Sequence, residues 1–196
     1  MKAISISKAP LVIALLLAVA MVATRFHHFG SAISHFSAIS LPDASLAIFF
    51  LAGFYLRSPL FFVAFFGEAA LIDYVATTYA GVSDWCITPA YFFLVPAYAS
   101  IWFAGRWYAT RHRQAWATLF PLLVALTLGT LAAFLISNAS FYLLSGRFTE
   151  MSWIEYGTRV AKYLPPYATS TFLYVLFASM IHALITAASV RQALPR

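Results

Sequence analysis

Long apolar stretches constrain this chain more than any other feature of its sequence. A helix needs roughly 20 mainly apolar residues to cross about 30 Å of bilayer hydrocarbon. Six such helices occupy roughly 120 residues, which leaves little of the 196 residues for a second domain. We therefore predict an all-α, polytopic membrane protein in which residues 1–196 form a single transmembrane domain. The six stretches lie near residues 9–26, 41–56, 59–79, 89–108, 115–137 and 166–190.

Charged side chains are too few to cover a surface that faces water. Only 9% of the residues are Asp, Glu, Lys or Arg and 63% are apolar, whereas soluble domains average about 25% charged residues. This composition excludes a soluble enzyme, a disordered tail and a nucleic-acid-binding domain, despite the formal net charge of +6. In a membrane protein, positive charge is first of all a topology signal.

The distribution of Lys and Arg in the short loops predicts the orientation, because cytoplasmic loops carry an excess of positive charge. With the N-terminus inside, eight of these residues lie on the cytoplasmic side and four on the outer side. We therefore expect both termini in the cytoplasm. The inner set is Lys2, Lys8, Arg57, Arg106, Arg111, Arg113, Arg191 and Arg196, and the outer set is Arg25, Arg147, Arg159 and Lys162.

The first apolar stretch has an alternative interpretation as a secretory signal peptide. Lys2 and Lys8 precede an apolar core, and Ala18-Val19-Ala20 has the form of a cleavage site. Cleavage would leave five spans. However, the apolar run continues to Ala23, beyond that site, so we expect an uncleaved first helix.

Small residues recur four apart in three of the predicted helices, beginning with Ala14-xxx-Ala18 in the first. Such stripes let helices approach closely, either inside the bundle or against a partner membrane protein. The sequence contains no G-x-x-x-x-G-K-[ST] motif, so we expect no P-loop nucleotide site in this chain.

Two carboxylates lie on the third predicted helix, where a charged group is expensive and usually faces the bundle interior or a cavity. Glu68 is near the middle of that helix, and we expect it to form a structural hydrogen bond. Asp73 is closer to the outer mouth. Ligand contact, support of a site or a purely structural role are all open for Asp73.

Cys86 is the only cysteine of the chain and lies in the outer loop between the third and fourth helices. It cannot form an intramolecular disulfide, and a lone thiol facing an oxidising compartment is a liability unless it is shielded or used. The alternative is an incidental, small hydrophobic residue. The first outer loop adds His27, His28 and His35, but no fixed spacing indicates a bare metal site.

The loop before the last span, from Asn138 to Pro165, predicts a short amphipathic helix near residues 152–163. Ser152-x-x-Glu155 is a capping-box pattern, and apolar side chains follow at helical spacing. We expect this helix to cross the outer mouth, and Pro165-Pro166 to begin the last span. Arg159 either pairs with Glu155 or turns toward a polar ligand. Because polar groups and aromatic residues gather on the outer side, we expect capture of a ligand from outside.

These residues resemble those of a known transporter family. The runs FFGEAALIDY at residues 65–74 and DWCITPAY at residues 84–91 resemble the BtuM group, which are bacterial S components of energy-coupling-factor (ECF) vitamin transporters. The resemblance implies a six-helix S component that takes up cobalamin (vitamin B12) across the bacterial inner membrane. It also implies a partner ECF transmembrane and ATPase module, contacted through the Ala14/Ala18 face.

The resemblance further implies roles for individual residues. Cys86 would be an axial ligand to the cobalt of base-off cobalamin, its sulfur driving the loss of cyanide from cyanocobalamin. The positions implied to line or support that site are those of His28, Asp73, Tyr91 and Arg159, although His35 could take the place of His28 because the surrounding loop is duplicated. Other candidate functions are an S component for another vitamin, a thiol-dependent membrane enzyme that handles lipid or haem, and a non-catalytic assembly subunit.

Overall fold

A computed structural model gives the fold of most of the chain. It describes the residues 8–29, 41–80, 83–149 and 152–193. Within these ranges, side chains are described except at residues 8, 26–29, 86 and 190–193. His28 and Cys86 therefore have a described backbone but no described side chain, and His35 lies outside the described residues.

Six α-helices and three short 3-10 turns make up the described part of the chain, which contains no β-strand. This confirms the all-α prediction. The 3-10 turns are Asp84–Cys86, Pro89–Phe93 and Trp116–Thr118. The α-helices are α1 (Lys8–Phe29), α2 (Ser45–Tyr55), α3 (Pro59–Tyr79), α4 (Leu94–Ala109), α5 (Leu119–Leu144) and α6 (Trp153–Ala193).

Three helical stretches are long and apolar enough, by length and composition, to cross a membrane. They are Pro59–Tyr79, Trp116–Leu144 and Trp153–Ser189. Large apolar side chains on these stretches and on α1 face outward, for example Leu16 with 65% and Phe177 with 64% of the surface exposed. A soluble protein seldom exposes so many large apolar side chains, so these faces fit contact with lipid.

The centre of the bundle is α2, in which every residue from Ser45 to Gly53 is buried. A helix that is apolar on all sides is stable only when neighbouring elements surround it. With 11 residues, α2 extends about 16 Å, well short of the bilayer thickness.

Helices α2 and α4 approach each other closely where two glycines face the opposite backbone. A Cβ atom on Gly53 would collide with the backbone carbonyl oxygen of Trp102, and one on Gly105 would collide with that of Phe50. The missing side chains therefore let each backbone contact the other directly, in the manner of Cα–H···O contacts between membrane helices.

We expect Gly53→Ala and Gly105→Ala each to lower the free energy of unfolding by about 3 kcal/mol, at the upper end of overpacking costs. A rigid carbonyl group lies in the path of each methyl group, so the helices must separate. Gly67→Ala is the control, because a Cβ there meets nothing within 4 Å, and alanine improves helix propensity by up to about 1 kcal/mol. Unfolding in mixed detergent micelles measures all three; equal effects at Gly53 and Gly67 would contradict this account.

The small-residue stripe of α1 lies against its own bundle. Ala14 is buried with 8% exposed, and Ala18 packs half-buried against the core. Leu15 and Val19 form the exposed face of the same helix. Internal packing, one of the two interpretations of this stripe, therefore accounts for Ala14.

The region between the fifth and sixth helices differs from the prediction. Helix α5 continues to Leu144, and α6 runs without interruption from Trp153 to Ala193, with Pro165 and Pro166 inside it. The amphipathic segment near 152–163 is thus the first part of α6, not a separate helix. Two prolines remove two helical hydrogen bonds, but Ala161 and Lys162, whose carbonyls lose their partners, are exposed, so solvent can satisfy them.

The two ends of the bundle differ in chemistry. One end, which we name the network end because its polar side chains are hydrogen-bonded to one another, holds Arg25 near the end of α1, Ser45 at the start of α2 and Asp73 near the end of α3. The basic end is the opposite one, where an Nη1 of Arg106 donates to the carbonyl oxygen of Arg57. With the orientation predicted from the sequence, the network end is the outer one.

Candidate functional site

A buried ion pair joins α1 to α3 at the network end. The Nε of Arg25 donates to Oδ1 of Asp73 at 2.7 Å, and the Nη2 of Arg25 donates to Oδ2 of Asp73 at 2.6 Å. The two side chains are 7% and 5% exposed. This bidentate geometry is the strong form of an arginine–carboxylate pair.

The guanidinium group of Arg25 also connects α1 to α2 and α4. Its Nη1 donates to the Ser45 hydroxyl at 2.8 Å and to the Tyr98 hydroxyl at 2.9 Å. Ser45 in turn donates to Oδ1 of Asp43 at 2.7 Å. Burying a charge is costly unless it is paired and hydrogen-bonded, and this set of partners meets that requirement.

Tyr91 is the member of this network nearest in sequence to Cys86, five residues after it. It lies in the 3-10 turn Pro89–Phe93, and its hydroxyl donates to Oδ2 of Asp73 at 2.8 Å. Both carboxylate oxygens of Asp73 are therefore occupied by protein donors, and the residue is 4% exposed. Asp73 can orient Tyr91 and Arg25, but it is not available to contact a ligand directly.

The cysteine lies in a turn that the sequence builds locally. The hydroxyl of Ser83 accepts a hydrogen bond from the backbone N–H of Trp85 at 3.2 Å, and the 3-10 turn Asp84–Cys86 follows. Trp85 is exposed. The side chain of Cys86 is not among those described, and neither is that of His28, which lies three residues after Arg25 on α1.

A cation–π contact connects the cysteine-bearing turn to the segment between α5 and α6. The guanidinium carbon of Arg147 lies 4.5 Å from the centre of the Trp85 ring. The next residue, Phe148, has its ring 4.6 Å from the guanidinium carbon of Arg159. The turn Asp84–Cys86 and the first part of α6 therefore meet at the same end of the bundle.

Arg159 is enclosed by aromatic rings. Its guanidinium carbon lies within 6 Å of the centres of four rings, close enough for cation–π attraction. Its Nε atom is buried and has no hydrogen-bond partner among the described residues. Glu155 accepts instead from the Tyr142 hydroxyl at 3.1 Å. The four rings belong to Phe141, Tyr142, Phe148 and Tyr163.

The structure thus brings Asp73 and Tyr91 into contact and places Arg159 in a separate aromatic cluster. Within the described ranges, no hydrogen bond joins that cluster to the buried network. Sequence reasoning missed the pairing of Arg25 with Asp73 and the contact between Arg147 and Trp85. The available signal was an arginine and an aspartate at the same end of two apolar helices, where each needs an opposite charge.

Among the described side chains, no group of three or more His, Cys, Asp and Glu residues could hold a metal ion. In comparisons of the sequence with known proteins, no protein-family model matches it, and no curated protein matches it either.

Proposed function

We propose that this chain binds cobalamin and takes it up across the inner membrane of a bacterium, as an S component similar to the BtuM group. The observation that carries the proposal is the Arg147–Trp85 contact. It joins the turn of Cys86 to the segment leading to Arg159, at the end of the bundle where Tyr91 and Asp73 also lie. A broad, largely apolar corrin ring with polar amide edges suits an aromatic surface with a few placed polar groups.

Cys86 is the proposed cobalt ligand. Its thiol loses a proton to solvent, and the thiolate takes the axial position that the dimethylbenzimidazole nitrogen leaves, because metals favour the deprotonated thiol. The strong new ligand on one face weakens the bond to cyanide on the other. Cyanide then leaves as hydrogen cyanide with a proton from water, and the cobalt oxidation state does not change.

The other residues of the site have supporting roles in this proposal. Tyr91, oriented by Asp73, faces the corrin edge. Arg159, which is half-buried, offers a terminal guanidinium nitrogen to an amide oxygen of the corrin side chains, while its Nε stays buried among the aromatic rings. His28, which the structure places in the last turn of α1 rather than in the predicted first outer loop, or His35 in its place, completes the site.

The proposed topology has six spans with both termini in the cytoplasm. In that arrangement the helices α2 and α4 are short, so each crosses the membrane together with its flanking residues, where the bilayer is locally thinned. The proposed partner is an ECF transmembrane and ATPase module. Because Ala14 is buried within the bundle, the module contacts the exposed face of α1 at Leu15 and Val19 rather than the Ala14/Ala18 stripe. The excess of Lys and Arg at the basic end supports this orientation.

Uptake tests the proposal directly. In a cobalamin-requiring bacterial strain that lacks its own uptake protein, expression of this chain should restore growth on limiting cyanocobalamin. Arg159→Gln should weaken cobalamin binding by about tenfold, the value of one lost hydrogen bond to a charged group. Lys162→Gln is the matched control, because Lys162 is exposed on the same helix and should leave binding unchanged.

The ligand that stays with the purified protein separates the alternatives. A pink to red preparation supports a corrinoid, whereas a colourless preparation that holds another vitamin would replace cobalamin while keeping the transporter class. Turnover without growth rescue would indicate a membrane enzyme. Absence of any small ligand would indicate an assembly subunit.

A further inference from the structure

A cavity lies at the basic end of the bundle, away from the proposed cobalamin site. Its volume is about 550 Å³, within the range of small-molecule sites. Residues of α2, α4, α5 and α6 and of the segment between α4 and α5 line it. Its walls are mainly apolar, with Phe54, Leu122 and Val175 among them.

Two tyrosine–histidine pairs face each other in this cavity. The Tyr55 hydroxyl lies 3.1 Å from Nδ1 of His182, and the Tyr108 hydroxyl lies 2.9 Å from Nδ1 of His112. The centres of the two imidazole rings are 5.5 Å apart. All four residues belong to the cavity lining.

Each imidazole keeps one nitrogen without a partner. The Nε2 atoms of His112 and His182 are buried and have no hydrogen bond to any described residue. A phenol hydroxyl donates readily to an imidazole nitrogen, and a neutral imidazole carries a single hydrogen. With each tyrosine donating to Nδ1, that hydrogen lies on Nε2. Burial, with the nearby His182 as second cause, lowers the pKa of His112, so its ring is neutral at pH 7.

The mouth of the cavity is cationic and aromatic. Arg113 and Trp116 line the cavity and are exposed. Residues 110–118 include Arg111 and Arg113 but no Asp or Glu, so no carboxylate of this segment neutralises them. An exposed tryptophan beside arginine is typical of the level of lipid head groups.

We infer that this cavity binds one acyl chain that carries an anionic head group. The chain lies between α2 and α6, against Phe54 and Val175, and the head group accepts hydrogen bonds from Arg113 and from the two Nε2–H groups. Two sources share this chemistry, a free fatty acid and an anionic phospholipid of the surrounding leaflet. The inference does not depend on the cobalamin proposal, because it uses other residues at the opposite end of the bundle.

Two direct binding measurements on the full chain test the inference. The first is equilibrium binding of radiolabelled palmitate to the detergent-purified protein. The second is quenching of tryptophan fluorescence by brominated phosphatidylglycerol in lipid nanodiscs, with brominated phosphatidylcholine for comparison. Binding of palmitate supports a free fatty acid, and quenching by phosphatidylglycerol well beyond that by phosphatidylcholine supports a membrane lipid.

Matched variants locate the ligand. Arg113→Gln should weaken binding by about tenfold, whereas Arg111→Gln should not, because the guanidinium carbon of Arg111 lies 3.9 Å from the Trp107 ring centre, outside the cavity lining. Ala183→Leu fills the cavity and should abolish binding. Ala188→Leu adds the same volume to the same helix outside the cavity lining and should leave binding intact.

Three outcomes would overturn the inference. They are absence of binding by both probes, equal binding by the Arg113 and Arg111 variants, and unchanged binding by Ala183→Leu. If Ala183→Leu does not fold, the comparison of Arg113→Gln with Arg111→Gln still decides, because both arginines are exposed and their replacement should not disturb folding. Cobalamin binding by the same protein samples serves as an independent check that the proposed site at the other end is intact.

Discussion

Cys86→Ala is expected to abolish both the sulfur-to-cobalt absorption band and the release of cyanide from cyanocobalamin. No second cysteine can replace it, because the chain has only one. The thiolate is the species that binds metals, and alanine offers no ligand atom. We expect at least a hundredfold loss of the decyanation rate, in line with about 10²–10³ for removal of one catalytic group, with cobalamin binding reduced but present.

The visible absorbance spectrum of the detergent-purified protein with cyanocobalamin measures this effect, recorded for wild type and variant under the same conditions. Cys86→Ser is the matched control for size, since a hydroxyl of similar shape stays protonated and should also give no band. A spectral change that persists in both variants would end the assignment of cysteine as the ligand. Binding without a spectral change in the wild-type protein would leave uptake in place but remove the chemistry.

Helix α3 could be predicted to the residue because its boundary signals are local. Proline at the first helical position and serine before it specify a helix start, and Ser58 accepts from the backbone N–H of Leu60 at 3.3 Å. The predicted span 59–79 is therefore the same as the observed Pro59–Tyr79. The all-α class follows as directly, because long apolar runs leave few alternatives to helices in a bilayer.

The ends of α5 and α6 were not predictable in the same way. Polar residues after position 137 suggested a loop, but serine side chains can bond to the backbone of their own helix. Ser140 does so, donating to the carbonyl oxygen of Ser137 at 2.9 Å, and α5 continues. Likewise, Pro165-Pro166 predicts a helix start, yet the exposed residues before the pair allow α6 to continue through it.

The sequence also could not specify which polar residues meet. Arg25 and Asp73 are 48 positions apart, and only the packing of α1 against α3 brings them together. Periodicity indicates which face of a helix is polar, but not which neighbour that face contacts. The sequence therefore indicated Asp73 and Tyr91 as separate candidate residues and no partner for Arg25.

Asp73→Asn is expected to lower the free energy of unfolding by about 3–5 kcal/mol, the usual cost of removing one partner of a buried ion pair. In the variant, the buried guanidinium group of Arg25 faces a neutral amide in place of the carboxylate that accepts two of its hydrogen bonds. It also weakens the acceptor of the Tyr91 hydroxyl. Unfolding in mixed detergent micelles measures the loss. Asp84→Asn at the same end is the control, because Asp84 is exposed and should change stability by less than about 0.5 kcal/mol.

A double variant separates the structural role of this pair from its role in the proposed site. Replacing a whole buried ion pair by apolar residues of similar volume is often close to neutral, so Arg25→Met with Asp73→Leu should recover most of the lost stability. Cobalamin binding should not recover with it, because Tyr91 still lacks the carboxylate that orients its hydroxyl. Full recovery of both properties would show that Asp73 serves the fold alone, whereas recovery of stability without binding would assign it a positioning role through Tyr91.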